Sequence, residues 1–476
     1  MVDPAVTPQP IQQSGPAAFW SAVREALAGS RQDYTEGPIG RAVLLLAIPM
    51  VLEMSMESLF AIVDIFFVSR LGADAVATVA ITESMLALVY TVAMGLSIGV
   101  TATVARRIGE HDRERAAVTA VQAIVLGLIA SAIIGIAGWI LAPRLLELMG
   151  ASRSLIEAGT GFTRIMLGGN ATILLLFLIN GVFRGAGDAA IAMRVLWFGN
   201  AINILLGPSL IFGVGPFPEL GLTGAAVATN IGRGSAVLFQ LWSLARRSER
   251  VRIAVRHLQI IPATMWQLVR LSGTGMLQIL IGTASWIALV RVLSTFGSSA
   301  LAGYAISIRV VLFTLLPAWG LSNAAATMVG QGLGAKKPDR AERAVWIAGG
   351  YNLVFLGAVG VLYFIFAPVI IGWFSTNLEI HGYAVQSIRV ISLGFPMYAY
   401  GMVLTQSFNG AGDTWTPTFI NLGCFWCWEI PLAILLATRV GLGPLGVFIS
   451  IAVAFSTLAI ISAVIFRRGR WKEKRV

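Results

Sequence analysis

In the stretch PMVLEMSMESLFAIVDIFF, residues 49–67, three carboxylic acids interrupt an otherwise apolar run: Glu53, Glu57 and Asp64. Spaced by four and then seven residues, they fall on a helix within a stripe about 40° wide and about 16 Å tall. An acid at bilayer depth costs roughly 2.5–3.5 kcal/mol on insertion scales, so three of them facing lipid would be very unfavourable. The stripe must face protein or a wet cavity. Burial and mutual repulsion favour the neutral form of a carboxyl. A carboxyl that exchanges protons near neutral pH lets a proton and a cationic cargo compete for one negative charge, the reciprocal linkage an obligatory exchanger needs. The plainer alternative is permanent pairing with buried arginines, Arg233 being a candidate. Glu83, in ITESM, is a further acid that solvation near the outer surface would equally explain.

The elements that position these acids follow from composition. Of 476 residues, 57% are hydrophobic and 12% charged. A soluble domain carries about 25% charged residues, so a polytopic membrane protein is expected, all-α in fold class. With about 20 residues per span, twelve transmembrane helices are read at about 42–68, 75–104, 116–141, 158–180, 191–212, 222–244, 265–293, 301–329, 344–366, 382–408, 418–438 and 444–466. Cations gather in alternate loops: Arg106, Arg107, Arg113 and Arg115 in one, Arg184 and Arg194 in the next, then Arg246 to Arg256, Lys336 to Arg343, and the tail after Phe466. The positive-inside rule then places both termini in the cytoplasm, in a multi-pass inner-membrane protein. It also accounts for the net charge of +11, so nucleic acid is not an expected partner. The N-terminus lacks a signal-peptide pattern; Trp20 to Leu27 suit a short amphipathic surface helix or a partly disordered lead-in.

Shifted by 225 residues, the sequence lies on itself without a gap. Ser69, Gly72 and Ala75 match Ser294, Gly297 and Ala300; Gly95-Leu96-Ser97 matches Gly320-Leu321-Ser322; GAGD at 185–188 matches GAGD at 410–413. Six spans per repeat give two lobes of like orientation with a substrate cavity between them, a transporter architecture. The expected organisation is a cytoplasmic segment 1–40, an N-lobe 41–244, a linker 245–264, a C-lobe 265–466 and a cytoplasmic tail 467–476.

EGPIGRAVLLLAIPM, VDIFFVSRLGADAVAT, ARRIGEHDRERA, RGAGD with NGAGD, and GLTGAAVAT occur in that order. With these motifs and the repeat, the chain resembles the multidrug and toxic compound extrusion (MATE) family along nearly its whole length. The resemblance implies two six-helix bundles facing each other in a V. It also implies export of cationic or amphipathic compounds by alternating access, driven by an inward H+ or Na+ gradient. Asp64 matches the family's first-span Asp. The family's site adds an Asn and an Asp four residues apart in the fifth span and a Thr in the sixth. Asn203 and Thr229 fit, but Gly207, just before Pro208, stands where the Asp belongs; Glu53, Glu57 or Glu83 could replace its charge. The repeat partner of Asp64 is Leu289, and the seventh and tenth spans hold no acid. The DinF-like branch, with ion coupling in the first lobe, therefore fits better than a branch that binds Na+ in the second.

Candidate cavity residues are Met54, Glu83, Arg233, Arg309, Tyr398 and Glu429, with Glu429 expected mainly to pair with Arg291, Arg309 or Arg389. Phe395, Met397, Tyr398 and Tyr400 could line a cavity or simply pack. GLSIG at 95–99 spells a nucleophile elbow inside a membrane helix rather than a strand-turn-helix. GLGPLG at 441–446 has no βαβ unit around it. Cys424 and Cys427 lack further ligands and are expected to face hydrocarbon. The expectation is an antiporter, not an enzyme, with no cofactor beyond the coupling ion, acting as a monomer on small molecules. A lipid-linked precursor flippase of related two-lobed fold is the alternative.

Overall fold

The computed structural model describes residues 16–30, 32–246, 248 and 250–474, apart from the side chains of residues 16–18, 61, 62, 64 and 65. All regular structure among them is helical. The N-lobe follows α1 (Pro16–Ala28) with α2 (Ile39–Val68), α3 (Ala73–Gly109), α4 (Arg113–Leu148), α5 (Arg153–Gly168), α6 (Ala171–Ala186), α7 (Ala189–Phe212) and α8 (Gly221–Arg246). The C-lobe holds α9 (Pro262–Leu293), α10 (Ser298–Gly334), α11 (Pro338–Gly372), α12 (Leu378–Leu393), α13 (Phe395–Gly410), α14 (Trp415–Arg439) and α15 (Pro444–Arg467).

Among the described residues ten helices are long and apolar enough to cross a membrane, Arg153–Ala186 counting as one. The pair α12–α13, bent by 58° at Gly394, makes an eleventh. The remaining expected span, the sixth, is present as α8, a helix of 26 residues, but Thr223, Thr229, Asn230 and Arg233 make it too polar to qualify on composition. Its polar face is the one it turns to α7 and the lobe interior. The fourth expected span is likewise not one straight helix: α5 and α6 break at Gly169-Asn170. There the buried Asn170 amide donates to the Leu167 carbonyl at 2.6 Å and the Ser131 carbonyl at 3.2 Å. α1 forms as the amphipathic pattern expects, with Trp20 exposed and Ala22 and Ala26 buried.

The repeat is legible in the backbone. Short 3-10 turns occur at Ser69–Leu71 and Ser294–Phe296, each followed by a glycine at φ 101° or 99° (Gly72, Gly297). The non-glycine residues with positive φ among those described are His111 at 57° and Lys336 at 56°, again 225 apart. In the two GAGD turns, Gly187 and Gly412 hold φ of 84° and 83°, a conformation glycine adopts without steric cost.

The lobes cross each other in symmetry-related pairs. α3 runs against α9, where a Cβ on Gly95 would lie 2.7 Å from the Met276 nitrogen; α10 runs against α2, where one on Gly320 would lie 2.5 Å from the Met50 carbonyl. At the end carrying both termini, Gly109 rests on the Gln331 carbonyl and Gly334 on that of Arg106. Hydrogen bonds close this end across the lobes: Thr327 Oγ1 donates to Arg184 O at 3.1 Å, Gln331 Nε2 to Gly185 O at 2.9 Å, and Arg106 Nη2 to Ala411 O at 3.3 Å. Segment 32–37 straps it from outside: Arg250 donates to the Gln32 carbonyl at 2.6 Å from the N-lobe side and Arg340 to the Tyr34 carbonyl at 3.1 Å from the C-lobe side.

Candidate functional site

Glu53 sits in α2 one turn below Glu57 and is 1% exposed. Its Oε1 accepts from Asn180 Nδ2 at 3.0 Å and from Arg184 Nη1 at 3.3 Å, both on α6. Arg184 also donates to Ser97 Oγ at 2.9 Å, and Gln240 Nε2 donates to Asn180 Oδ1 at 2.6 Å. Four helices thus converge on one carboxylate. Its second oxygen, Oε2, is buried without a hydrogen-bond partner among the described residues, an arrangement that is costly unless something supplies a donor.

This corrects one expectation. Arg184 is not a loop cation: it is buried in α6, because the helix runs on to Ala186 before the GAGD turn. The buried partner of an α2 acid is therefore Arg184. Arg233 donates to Tyr90 Oη at 2.7 Å and lies over the rings of Phe60 and Tyr90, 5.5 and 5.8 Å from their centroids. Glu57, half-buried, and Glu83, exposed, lie within electrostatic reach of this Arg233–Tyr90 pair. Asp64 belongs to α2, but its side chain lies outside the described residues.

Asn203 and Thr229, both buried, join α7 to α8 through a 3.0 Å hydrogen bond from Nδ2 to Oγ1. Beside them, a Cβ on Gly207 would have, among the described residues, only Asn203 Oδ1 within 4 Å, at 3.9 Å. Among the described residues nothing else crowds this position. Indole and amide donors of α7 anchor the acid helix: Trp197 Nε1 to Leu52 O at 3.3 Å and Asn200 Nδ2 to Met56 O at 3.5 Å.

Between the lobes lies a cavity of about 70 Å³, lined by Met54, Met94, Ser97, Phe177 and Arg184 from one side and Trp319, Asn323, Gln406 and Asn409 from the other. The wall is sulfur-rich, aromatic and amide-rich, with one charged side chain, Arg184. Gln406 Nε2 donates to Asn323 Oδ1 at 2.8 Å, and Asn409 Nδ2 to Gln406 Oε1 at 2.6 Å, so the amides form a chain along the C-lobe wall.

Of the cavity candidates, Met54 is on this wall; Tyr398, Arg309, Arg233, Glu83 and Glu429 are not. Tyr398 stacks on Phe455 at 3.8 Å inside the C-lobe, and Arg309 is exposed. Glu429 makes no ion pair among the described residues: Arg291 and Arg309 are exposed, and Arg389 donates to the Phe364 carbonyl at 3.0 Å. It is 2% exposed, lies in a π-helical stretch, Leu422–Glu429, and has Oε2 unpartnered. Cys424 is buried in the C-lobe rather than facing hydrocarbon; Cys427 is exposed. The reading above missed Asn180, Arg184 and the C-lobe amides. A signal for the first two existed, since Asn180 and Arg184 are polar residues four apart in an apolar helix, the same pattern that singled out Glu53 and Glu57.

A family model, MatE, matches residues 49–209 and again 275–435, one copy per lobe. The chain is 24% identical over 449 residues to the probable multidrug resistance protein YoeA of Bacillus subtilis, covering 94% of this chain and 97% of that one. To the FAD transporter of Shewanella oneidensis it is 25% identical over 405 residues, covering 85% and 90%. Its fold is similar to the outward-facing conformation of a multidrug resistance MATE family transporter of the MOP superfamily, with TM-score 0.86 and 26% identity over 92% of this chain and 98% of that one.

Proposed function

Because the chain belongs to the MatE family of membrane transporters, we propose that it exports cationic or amphipathic organic compounds in exchange for H+ or Na+ by alternating access, with the coupling acids in the N-lobe. The observation that carries this reading is the Glu53–Arg184 pair: a buried carboxylate with one oxygen lacking a donor, held by an arginine that lines the inter-lobe cavity. A proton reaching Oε2 turns this unpartnered acceptor into a neutral hydroxyl and removes the charge that pairs with Arg184. Arg184 then loses its fixed position at the cavity wall. Its own carbonyl and that of Gly185 accept Thr327 and Gln331 from the C-lobe, so a shift of this turn loosens the end where the termini lie. Ion occupancy and the state of that gate are thereby linked, which is the condition for exchange. Asp64, Glu57, Asn203 and Thr229 complete the ion path on the same lobe.

Methionines 54 and 94 with Phe177 and Trp319 suit planar, amphipathic cargo, since thioether and aromatic surfaces adapt to varied shapes. The flippase alternative needs a cation-rich cavity for a pyrophosphate. The wall offers one cation, already balanced by Glu53, which does not support that reading. In this proposal both termini lie in the cytoplasm, the protein sits in the inner membrane, and the monomer suffices.

The test is efflux of a fluorescent organic cation from proteoliposomes under an imposed pH gradient, and separately under a Na+ gradient at fixed pH. The proposal expects efflux that follows one of the two gradients. A flippase shows efflux that follows neither.

A further inference from the structure

The end of the C-lobe that carries the chain terminus has a groove of about 520 Å³, separate from the inter-lobe cavity. Its walls come from the first turns of α14 and the last turns of α15: Phe419, Ile420, Ile461 and Ile465. Its mouth is set by Arg468 and Arg470, both exposed. Ile461 lies about 10 Å of helix rise from Arg468, so the apolar part reaches two turns inward from a cationic rim. α14 and α15 are membrane spans that begin and end at this level; the rim therefore stands at headgroup height and the walls at acyl-chain height.

We propose that this groove is a binding site for an anionic phospholipid, its phosphate at Arg468 and Arg470 and an acyl chain between α14 and α15. Charge favours an anion over a zwitterion. The acid at the groove, Asp413, is turned away from repelling a phosphate: Thr416 Oγ1 donates to it at 2.7 Å, and Lys474 Nζ pairs with it at 3.2 Å. Arg468 and Arg470 make no ion pair among the described residues, so they are available to a ligand. The rim is also held in place. Trp471, 1% exposed, stacks on Phe466 at 4.5 Å and donates to the Phe466 carbonyl, and Lys472 pairs with Glu342 at 2.6 Å. At the repeat-related corner of the N-lobe, beside Asp188, the chain itself supplies the partners: Arg194 donates to the Leu27 carbonyl and Arg250 pairs with Asp188 at 3.4 Å. At the C-lobe corner the tail likewise crosses to Asp413 through Lys474, but Arg468 and Arg470 have no such partner among the described residues, which leaves these two cations to the bilayer.

The tail that forms the rim also meets the gate, because Arg106 of α3 donates to the Lys474 carbonyl at 2.9 Å. A lipid bound here thus steadies the closed end.

The experiment is a titration of the purified full chain with phosphatidylglycerol, and separately with phosphatidylcholine, read by native mass spectrometry. Wild type should retain phosphatidylglycerol in preference, and Arg468→Gln with Arg470→Gln should weaken that binding by about thirtyfold, on the order of one surface-cation contribution each. Replacing both by Lys should restore most of it, and Arg439→Gln, an exposed cation at the other end of α14, should change nothing. Equal retention of the two lipids, or loss of phosphatidylglycerol binding on Arg439→Gln alone, overturns the proposal.

Discussion

Glu53 and Arg184, 131 residues apart in the chain, meet at 3.3 Å between α2 and α6, with side chains 1% and 8% exposed. Removing one partner of such a pair leaves an uncompensated buried charge, worth roughly 3–5 kcal/mol, whereas removing both is often close to neutral. Arg184→Gln should therefore lower the thermal unfolding midpoint in detergent markedly. Arg184→Gln combined with Glu53→Gln should recover most of the loss while leaving gradient-driven transport impaired. A double variant no more stable than the single one would argue that Arg184 serves packing rather than charge.

Gly207 stands where the resemblance to the family leads one to expect an acid. Among the described residues the space beside Asn203 is open, so Gly207→Asp should fold and remain in the membrane. If Glu57 stands in for the absent acid, Glu57→Gln loses transport, and adding Gly207→Asp should restore part of it. Initial efflux rates of the four proteins in the cycle decide this; additive losses contradict it.

In the second GAGD turn, Gly410 lies against the Ala326 carbonyl, leaving no room for a Cβ, whereas Gly357 on α11 has no such neighbour within 4 Å. Gly410→Ala should destabilise by about 1–3 kcal/mol, the usual cost of overpacking. Gly357→Ala should be neutral or slightly stabilising. Unfolding midpoints of the two purified variants give the comparison.

Asp33, in the strap outside the membrane spans, is pushed up by burial. Two hydrogen bonds from Thr35 and the charges of His111 and Arg250 outweigh that and hold it below the usual carboxylate range. A depressed folded value contributes stability that is present above the unfolded value, about 3.9, and is lost as pH falls through the folded one. Thermal stability of wild type should therefore decline across that acid window more steeply than that of Asp33→Asn. Parallel pH profiles would remove the strap carboxylate from the account.

Much of the architecture could be read from residue order because the repeat constrains backbone geometry. His111 and Lys336 share a left-handed turn without sharing a side chain, and the turns at Gly187 and Gly412 require glycine. The inward burial of Glu53 could be read because charge in an apolar helix has so few tolerable positions. Arg184 is harder: its spacing of four from Asn180 is a signal, but a cation next to a glycine turn looks equally like a solvated helix end, and only the tertiary path brings α6 under Glu53. Glu429 failed for the converse reason: an acid in a lobe with several arginines suggests a pair, yet Arg291 and Arg309 point to the surface. α8 escaped the composition test because a helix that turns polar side chains inward need not be uniformly apolar.

The most direct test compares gradient-driven accumulation with passive counterflow of the same fluorescent cation in proteoliposomes bearing wild type, Asp64→Asn or Glu53→Gln. The account expects both variants to insert and exchange cargo passively but to lose accumulation against its gradient. A neutralised variant that still accumulates cargo as wild type does would contradict coupling through the N-lobe acids.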